Sequence, residues 1–359
     1  MVATKANSVL TILVTGAGAP GIRGTLYALR KNGDRRPVRI IGVDADPGVV
    51  GRFLVERFFP VPAPEHDTYL EELVRICRSE SVDVVVPQTT REIAVLSRNL
   101  AGLKEAHIRA MVSGHGAIEI ANNKWSVLET FRKLGLPYPA YQLADSETAL
   151  LRAVEQLGYP QSPVVVKPPV SNGMRGVRVL RKQAWDVRRF LSEKPMGLEI
   201  SLEELLAILR RGPDWPELLV TEYLPGPEYT VDAFRGEKVE IAVPRLREQI
   251  RSGITFRSRT EFHAGMAEFT LCAARAIGLR YAFGFQFKLD AAGVPKVLES
   301  NPRVQGTMVA SVFSGANVIW MGVKEALGER IEEATHPITS QFFRFWGGVG
   351  VAGECIDEI

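Results

Sequence analysis

Short β-branched apolar runs alternate with amphipathic stretches through the N-terminal third of the chain. Ser8 to Thr15 (SVLTILVT), Val38 to Asp44 (VRIIGVD) and Val82 to Pro87 (VDVVVP) are apolar at consecutive positions. That is the pattern of strands buried on both faces of a parallel sheet. Ile22 to Asn32, Glu65 to Ser79 and Arg91 to Leu103 read as helices in between, the first stopped by Gly33. Strands alternating with helices at this spacing predict an open α/β sheet.

The middle of the chain changes rhythm. Asn122-Asn123-Lys124 opens a helix to about Leu134, with Gly135 as C-cap, and Leu136-Pro137-Tyr138-Pro139 forces an extended segment. A helix over Ser146–Leu157 and a strand Val164–Lys167 follow. The loop Val170–Gly176 leads to a second strand, Val177–Leu180. Residues 184–212 read as mostly helical, with Trp185 and Phe190 on packing faces. Strands are expected at Leu218–Leu224 and Glu228–Phe234, broken by Pro225-Gly226-Pro227, and a helix at Phe262–Ile277, stopped by Gly278. Phe283 to Asp290 and Lys296 to Arg303, joined through Asp290-Ala-Ala-Gly293, predict a hairpin. An apolar helical stretch follows Thr307. The tail, with Phe342, Phe343, Phe345 and Trp346, is expected to pack back onto the body.

Composition narrows the class. At 359 residues, with 46% hydrophobic and 24% charged residues, the chain has room for two or three domains with substantial cores. A net charge of +3 gives no reason to expect nucleic acid or a membrane surface as partner. Cys77, Cys272 and Cys355 are far apart with no CxxC pair, which fits reduced thiols in a cytoplasmic protein. The scattered histidines argue against zinc. The N-terminal region resembles neither a signal peptide nor a membrane span.

The candidate chemistry gathers on the hairpin. Side chains alternate along a strand, so Glu299, Asn301 and Arg303 point one way and Ser300 the other. Gln286 and Lys288 likewise oppose Phe283, Phe285 and Phe287. Glu299, Asn301 and Gln286 offer the oxygens a hard divalent cation takes, and Arg303 can hold an anionic substrate or the charge developed in phosphoryl transfer. A solvated face with a Glu–Arg pair is the bland alternative. In the N-terminal sheet, Gly16, Gly18 and Gly21 have GxGxxG spacing, and Asp44 ends the next strand. That set fits a dinucleotide, another anion such as a substrate carboxylate, or a plain tight turn. Glu222 is conspicuous in an apolar strand. Five arginines, at 245, 247, 251, 257 and 259, either hold anionic groups or form a solvated face.

Taken in order, these motifs resemble the ATP-grasp superfamily, in particular the branch of the carbamoyl phosphate synthetase large subunit and biotin carboxylase. The resemblance implies a Rossmann-like pre-ATP-grasp domain over 1–115 and an ATP-grasp domain of two α+β subdomains over 116–328. The subdomains are 116–215, with a phosphate-covering loop, and 216–328, with a metal site. Residues 329–359 form a C-terminal extension. In this family the first domain lines the substrate site and does not bind NAD. Lys124 and Lys167 match the family's phosphate contacts, and the loop Ser171–Gly176, with Gly173 and Gly176, takes the place of the glycine-rich cover. TEYLPGPEYTVD matches the adenine segment: Glu222 for the amino group, Tyr223 and Leu224 for backbone contacts, Glu228 for the ribose. Gln286, Glu299 and Asn301 match the metal ligands, and Arg303, with Lys288 and Gln305, makes the candidate catalytic set.

What the resemblance implies is an ATP- and Mg²⁺- (or Mn²⁺-) dependent carboxylate–amine, or carboxylate–thiol, ligase acting through an acyl phosphate. Small-molecule carboxylates and amines would be its substrates, and a homodimer fits the family. Gly18, Thr89, Arg247 and Arg257 are candidate substrate contacts. The competing readings are a single-unit carbamoyl phosphate synthetase-like enzyme acting on bicarbonate or carbamate, a non-catalytic ATP-binding regulator, and a NAD-dependent oxidoreductase. No His, Lys or Tyr constellation of the kind the last would need is seen.

Overall fold

The computed structural model describes residues 9–171, 173–182, 198–332, 337–352 and 355–358. The chain divides into two compact units: unit 1 is Met1–Ala121, Glu228–Gln286 and Ser300–Ile359, and unit 2 is Asn122–Pro227 and Phe287–Glu299.

Unit 1 begins with a parallel sheet of β1 (Leu10–Thr15), β2 (Val38–Asp44), β3 (Arg57–Pro60) and β4 (Val84–Val86), in the order β3-β2-β1-β4. The strands β1 and β4 are buried at every position because both faces are covered. Leu13, Ile41, Val43 and Val85 pack on Leu73, Ile76, Ile93 and Leu96. Leu10, Ile12, Val14, Ile40 and Val84 pack on the other side with Leu26, Leu29, Phe234, Val243 and Trp320. β3, exposed at both ends, lacked any pattern to announce it. The helix expected over Arg91–Leu103 is two, Thr90–Arg98 and Leu100–Glu105, broken at Asn99, whose amide donates to the Val95 carbonyl at 2.8 Å. Such local side-chain bonds compete with the helix ladder.

Unit 2 holds a five-stranded sheet of β5 (Tyr141–Ala144), β6 (Val164–Lys167), β7 (Arg178–Leu180), β8 (Glu199–Ile200) and β9 (Leu218–Glu222), ordered β5-β9-β6-β7-β8. One face packs on Leu150, Ala153 and Val154 of the helix Glu147–Gln156, and on Leu205 and Leu206. The helix Lys124–Lys133 starts where the sequence puts it, because the Asn123 side chain caps it by accepting from the Ser126 N–H at 3.1 Å. Of the helical stretch read over 184–212, residues 183–197, with Trp185 and Phe190, lie outside the described residues; β8 and a helix Leu202–Leu209 make up most of the rest.

A six-stranded sheet follows: β10 (Glu228–Arg235), β11 (Glu240–Arg251), β12 (Ile254–Thr260), β13 (Tyr281–Leu289), β14 (Pro295–Asn301) and β15 (Gln341–Phe343), ordered β14-β13-β10-β11-β12-β15. β13 and β14 are the expected hairpin, and their residues 287–299 belong to unit 2. Phe283, Phe285 and Phe287 are fully buried, Gln286 and Lys288 half-buried, as alternation requires. The tail differs from expectation. It supplies the edge strand β15, which pairs with β12, while Phe343, Phe345 and Trp346 remain 62%, 72% and 75% exposed. β16 (Val349–Ala352) and β17 (Cys355–Glu358) form a separate hairpin. Among the described residues no helix is long and apolar enough to cross a membrane.

Candidate active site

In unit 2 two buried ammonium groups reach the same strand. Lys124, the first residue of its helix, donates to the Ser171 carbonyl at 2.9 Å and hydroxyl at 3.1 Å, and lies 3.5 Å from the Glu299 carboxylate. Lys167, at the end of β6, donates to the Leu298 carbonyl at 3.3 Å. The two lysines are 4% and 6% exposed, a degree of burial lysine rarely has unless it is paired or used. Beyond Ser171 the chain makes a tight turn, with Met174 in the left-handed region at φ 62°. A side chain there carries strain. Asn172 lies outside the described residues.

The Glu222–Pro227 segment is held by neighbours the sequence did not reveal. Glu222 ends β9, half-buried, accepting from the Ala140 N–H at 2.9 Å and pairing with Lys296 at 2.7 Å. Burial pushes the Lys296 ammonium down, but Glu222 and Asp290 outweigh it and raise its pKa. Two cations approach the Tyr223 ring, Arg181 at 5.0 Å and Lys288 at 5.2 Å from its centroid, and Leu224 is buried. Gly226 donates to the Leu289 carbonyl at 2.9 Å, and Leu289 returns a bond to Pro227 at 3.0 Å.

Unit 1 carries the remaining candidates. Glu228 pairs with Arg247, whose guanidinium also donates to Thr255 Oγ1 at 2.8 Å and the Gly253 carbonyl at 2.7 Å. Asp232 and Arg245, paired at 2.9 Å and 3.2 Å, are 0% and 1% exposed. Burial pushes the Asp232 carboxyl up against the pull of Arg245. Arg303 donates to Asn301 Oδ1 at 3.1 Å, the Val304 carbonyl at 3.1 Å and Thr90 Oγ1 at 3.3 Å. Gln305 is buried, its amide nitrogen over Gly284: a Cβ there would lie 1.4 Å from it.

Other candidates have structural work. Thr89 is the N-cap of the helix Thr90–Arg98 in a capping box with Glu92. Arg257 is half exposed and paired with Glu248 at 2.9 Å. Gly18 donates its N–H to Asp44 Oδ2 at 2.7 Å, so that carboxylate braces the glycine turn. The turn also meets the 303–306 segment, where a Cβ on Gly21 would lie 2.7 Å from the Gly306 Cα, so glycine is needed at position 21.

The oxygen donors suit a cation that arrives with phosphates. Among the described residues no group of three or more His, Cys, Asp or Glu could hold a metal alone. Glu299, in unit 2, and Asn301 and Gln286, in unit 1, each carry an oxygen donor of the kind Mg²⁺ takes. Mg²⁺ needs only one or two protein groups when phosphates and waters complete its shell, so these residues fit it.

The N-terminal parallel sheet with its glycine turn, the two buried lysines and the hairpin of acid and amides are similar to the ATP-grasp superfamily, and parts of the chain match its family models. Residues 12–111 match the model of the PylC-like N-terminal domain, and residues 214–344 that of the ATP-grasp domain found in the biosynthetic pathway with the Ter operon. The carbamoyl phosphate synthase large chain of Thermus thermophilus is 26% identical over 245 residues, 65% of this chain and 22% of that one. The formate-dependent phosphoribosylglycinamide formyltransferase of Burkholderia thailandensis is 28% identical over 178 residues, 49% of this chain and 40% of its own length. The chain thus spans less than half the length of these curated relatives. Among solved structures, the ADP complex of N5-carboxyaminoimidazole ribonucleotide synthetase covers 93% of this chain and 81% of its own, with TM-score 0.69 and 16% identity. The biotin carboxylase–β,γ-ATP complex from Campylobacter jejuni covers 93% and 75%, with TM-score 0.68 and 18% identity. At such identities the likeness speaks for the fold.

Proposed function

We propose that the protein is an ATP-dependent ligase that joins a small-molecule carboxylate to an amine or a thiol through an acyl phosphate. The observation that carries this reading is the convergence of two buried ammoniums, Lys124 and Lys167, on Leu298 and Glu299 of one strand. Cations on two separate elements, aimed at a strand that carries a metal-type carboxylate, suit a triphosphate better than a salt bridge. The Glu222–Leu224 segment offers the adenine a carboxylate and backbone groups, and the turn 171–176 covers the phosphates.

Mg²⁺ held by Glu299, Asn301 and Gln286 would neutralise the phosphate charge. The chain's own residues align and exclude water. Lys124 and Lys167 hold the phosphates, and Arg303 orients the substrate carboxylate. Phosphoryl transfer asks little covalent work of the protein, so alignment and electrostatics supply the rate. The carboxylate oxygen attacks the γ-phosphorus and ADP leaves. The amine or thiol then attacks the acyl carbon, phosphate departs, and the nucleophile's proton passes to solvent.

The test is ADP release from Mg-ATP with pools of carboxylic acids and amines, beside Glu299→Ala and Arg303→Ala. Release that needs both pools and disappears in both variants supports a ligase. Release with bicarbonate alone transfers the assignment to a carbamoyl phosphate synthetase-like enzyme. ATP binding without release from any pool favours a nucleotide-binding regulator, and no ATP binding ends the reading.

A further inference from the structure

The six-stranded sheet ends, in unit 1, on an open edge. β15 pairs with β12 on one side, and among the described residues no strand pairs with its other side. The Thr260 N–H donates to the Ser340 carbonyl at 2.8 Å, and the Arg344 N–H to the Phe256 carbonyl at 2.7 Å. Backbone groups alternate in direction along an antiparallel strand, so positions 340, 342 and 344 bond inward to β12. Those of Gln341, Phe343 and Phe345 point outward along the free edge. Native edges are commonly blunted by lysine, proline or another charge. Here the three outward positions are a glutamine and two phenylalanines.

Much apolar surface gathers at this edge. Exposed Phe343, Phe345 and Trp346 are joined by Phe262 and Ile338, 81% and 64% exposed, each two residues beyond the Thr260–Ser340 pair. An aromatic side chain carries roughly 150–250 Å², so at these exposures the five side chains present roughly 600–700 Å². A monomer's largest apolar patch is about 300–600 Å², and a stable interface buries about 800 Å² on each partner. The edge backbone adds to the apolar share.

A second copy of the same edge fits it. Two β15 strands related by a two-fold axis at Phe343 run antiparallel, with Phe343 facing Phe343 and Gln341 facing Phe345. None of these positions is charged, so self-pairing sets no charge against its like. On β12 the flanking Arg257 and Arg259 are already paired with Glu248 and Glu261, which leaves no cationic rim to call for an acidic partner. An isologous contact of this kind closes on itself and stops at two chains.

We propose that the protein forms a homodimer by antiparallel pairing of two β15 edges, which joins the two six-stranded sheets into one and covers Phe343, Phe345 and Trp346. The ligase reading needs no second chain, so the two stand or fall separately.

Sedimentation equilibrium of the full chain tests it, and a dimer is expected at micromolar concentration. Phe343→Pro removes an N–H that points away from β12, and Phe345→Lys puts a charge on the seam. Each should weaken association roughly tenfold or more. Phe345→Lys changes an exposed side chain, so it serves if Phe343→Pro does not fold; an unaltered melting temperature checks this. Ile208→Lys, at an exposed apolar residue on the helix Leu202–Leu209 of unit 2, should leave the dimer as it is. A native chain that stays monomeric through the micromolar range overturns the proposal. So does a dimer equally strong in Phe345→Lys and Phe343→Pro. Assembly that continues past two chains overturns it as well, because a two-fold edge pair leaves no further edge to fill. A dimer lost in Ile208→Lys and kept in Phe345→Lys would place the interface elsewhere.

Discussion

Gly284→Ala should test how tightly the Gln305 amide packs on β13. Gly284 lies inside β13, and an added Cβ would sit 1.4 Å from Gln305 Nε2, 2.5 Å from its Cδ and 3.0 Å from the Val231 carbonyl. The amide must leave. Its nitrogen makes no hydrogen bond, so displacing it sacrifices none. An off-rotamer glutamine and the contact with Val231 cost about 0.5–1.5 kcal/mol. Replacing a strand glycine by alanine returns about 0.5–1 kcal/mol through the unfolded chain. The net change should lie within about 1 kcal/mol of zero, a small shift in the urea midpoint. A midpoint lowered by the equivalent of more than about 2 kcal/mol would show that the niche above Gly284 cannot yield, beyond the costs summed here.

Two further variants probe the charges that hold unit 1. Asp232→Ala strands a fully buried guanidinium and should cost about 3–5 kcal/mol in urea unfolding, whereas Asp232→Leu with Arg245→Met should recover most of it. Equal loss in the single and double variants would contradict this. Asp34 accepts from Trp320 Nε1 at 2.8 Å and pairs with Lys324 at 3.0 Å; burial raises its pKa, but these partners outweigh it and hold it below the ordinary 3.8. A carboxylate with a depressed folded pKa stabilises above its unfolded value and loses that contribution as pH falls through the folded one. Asp34→Asn should therefore lower Tm at neutral pH, and the two melting curves should converge as pH drops below 3.8. A constant gap at all pH values would mean that the pair contributes nothing through charge.

Local pattern carried far along this chain. β2 and β6 fall where their apolar runs begin and end, because each run is bounded by a residue that stops it: Asp44 in one, Lys167 before two prolines in the other. The helix at Lys124 was legible from Asn123, whose cap is local. The hairpin followed from alternation and the Asp290–Gly293 turn. Lys124 and Lys167 were found by resemblance alone, since a lysine at a helix start or strand end looks ordinary. Their burial and their meeting at Leu298 and Glu299 come from the packing of unit 2.

What the sequence determined by itself was most of the longer elements, such as β1, β2, β6, β10 and the β13–β14 hairpin, and the order of the motifs, because helix period, strand alternation and caps act over a few residues. What only the tertiary structure decided was which charges meet. Lys296 finds Glu222, Asp232 takes Arg245, and Arg344 gathers carbonyls from Pro20, Thr255 and Gly306. β3 and β15, only four and three residues long, exist because a neighbouring strand pairs with them. Such contacts join positions far apart in the chain, and no local periodicity records them. A buried charge or an unpaired donor has meaning only once the fold has removed the water around it.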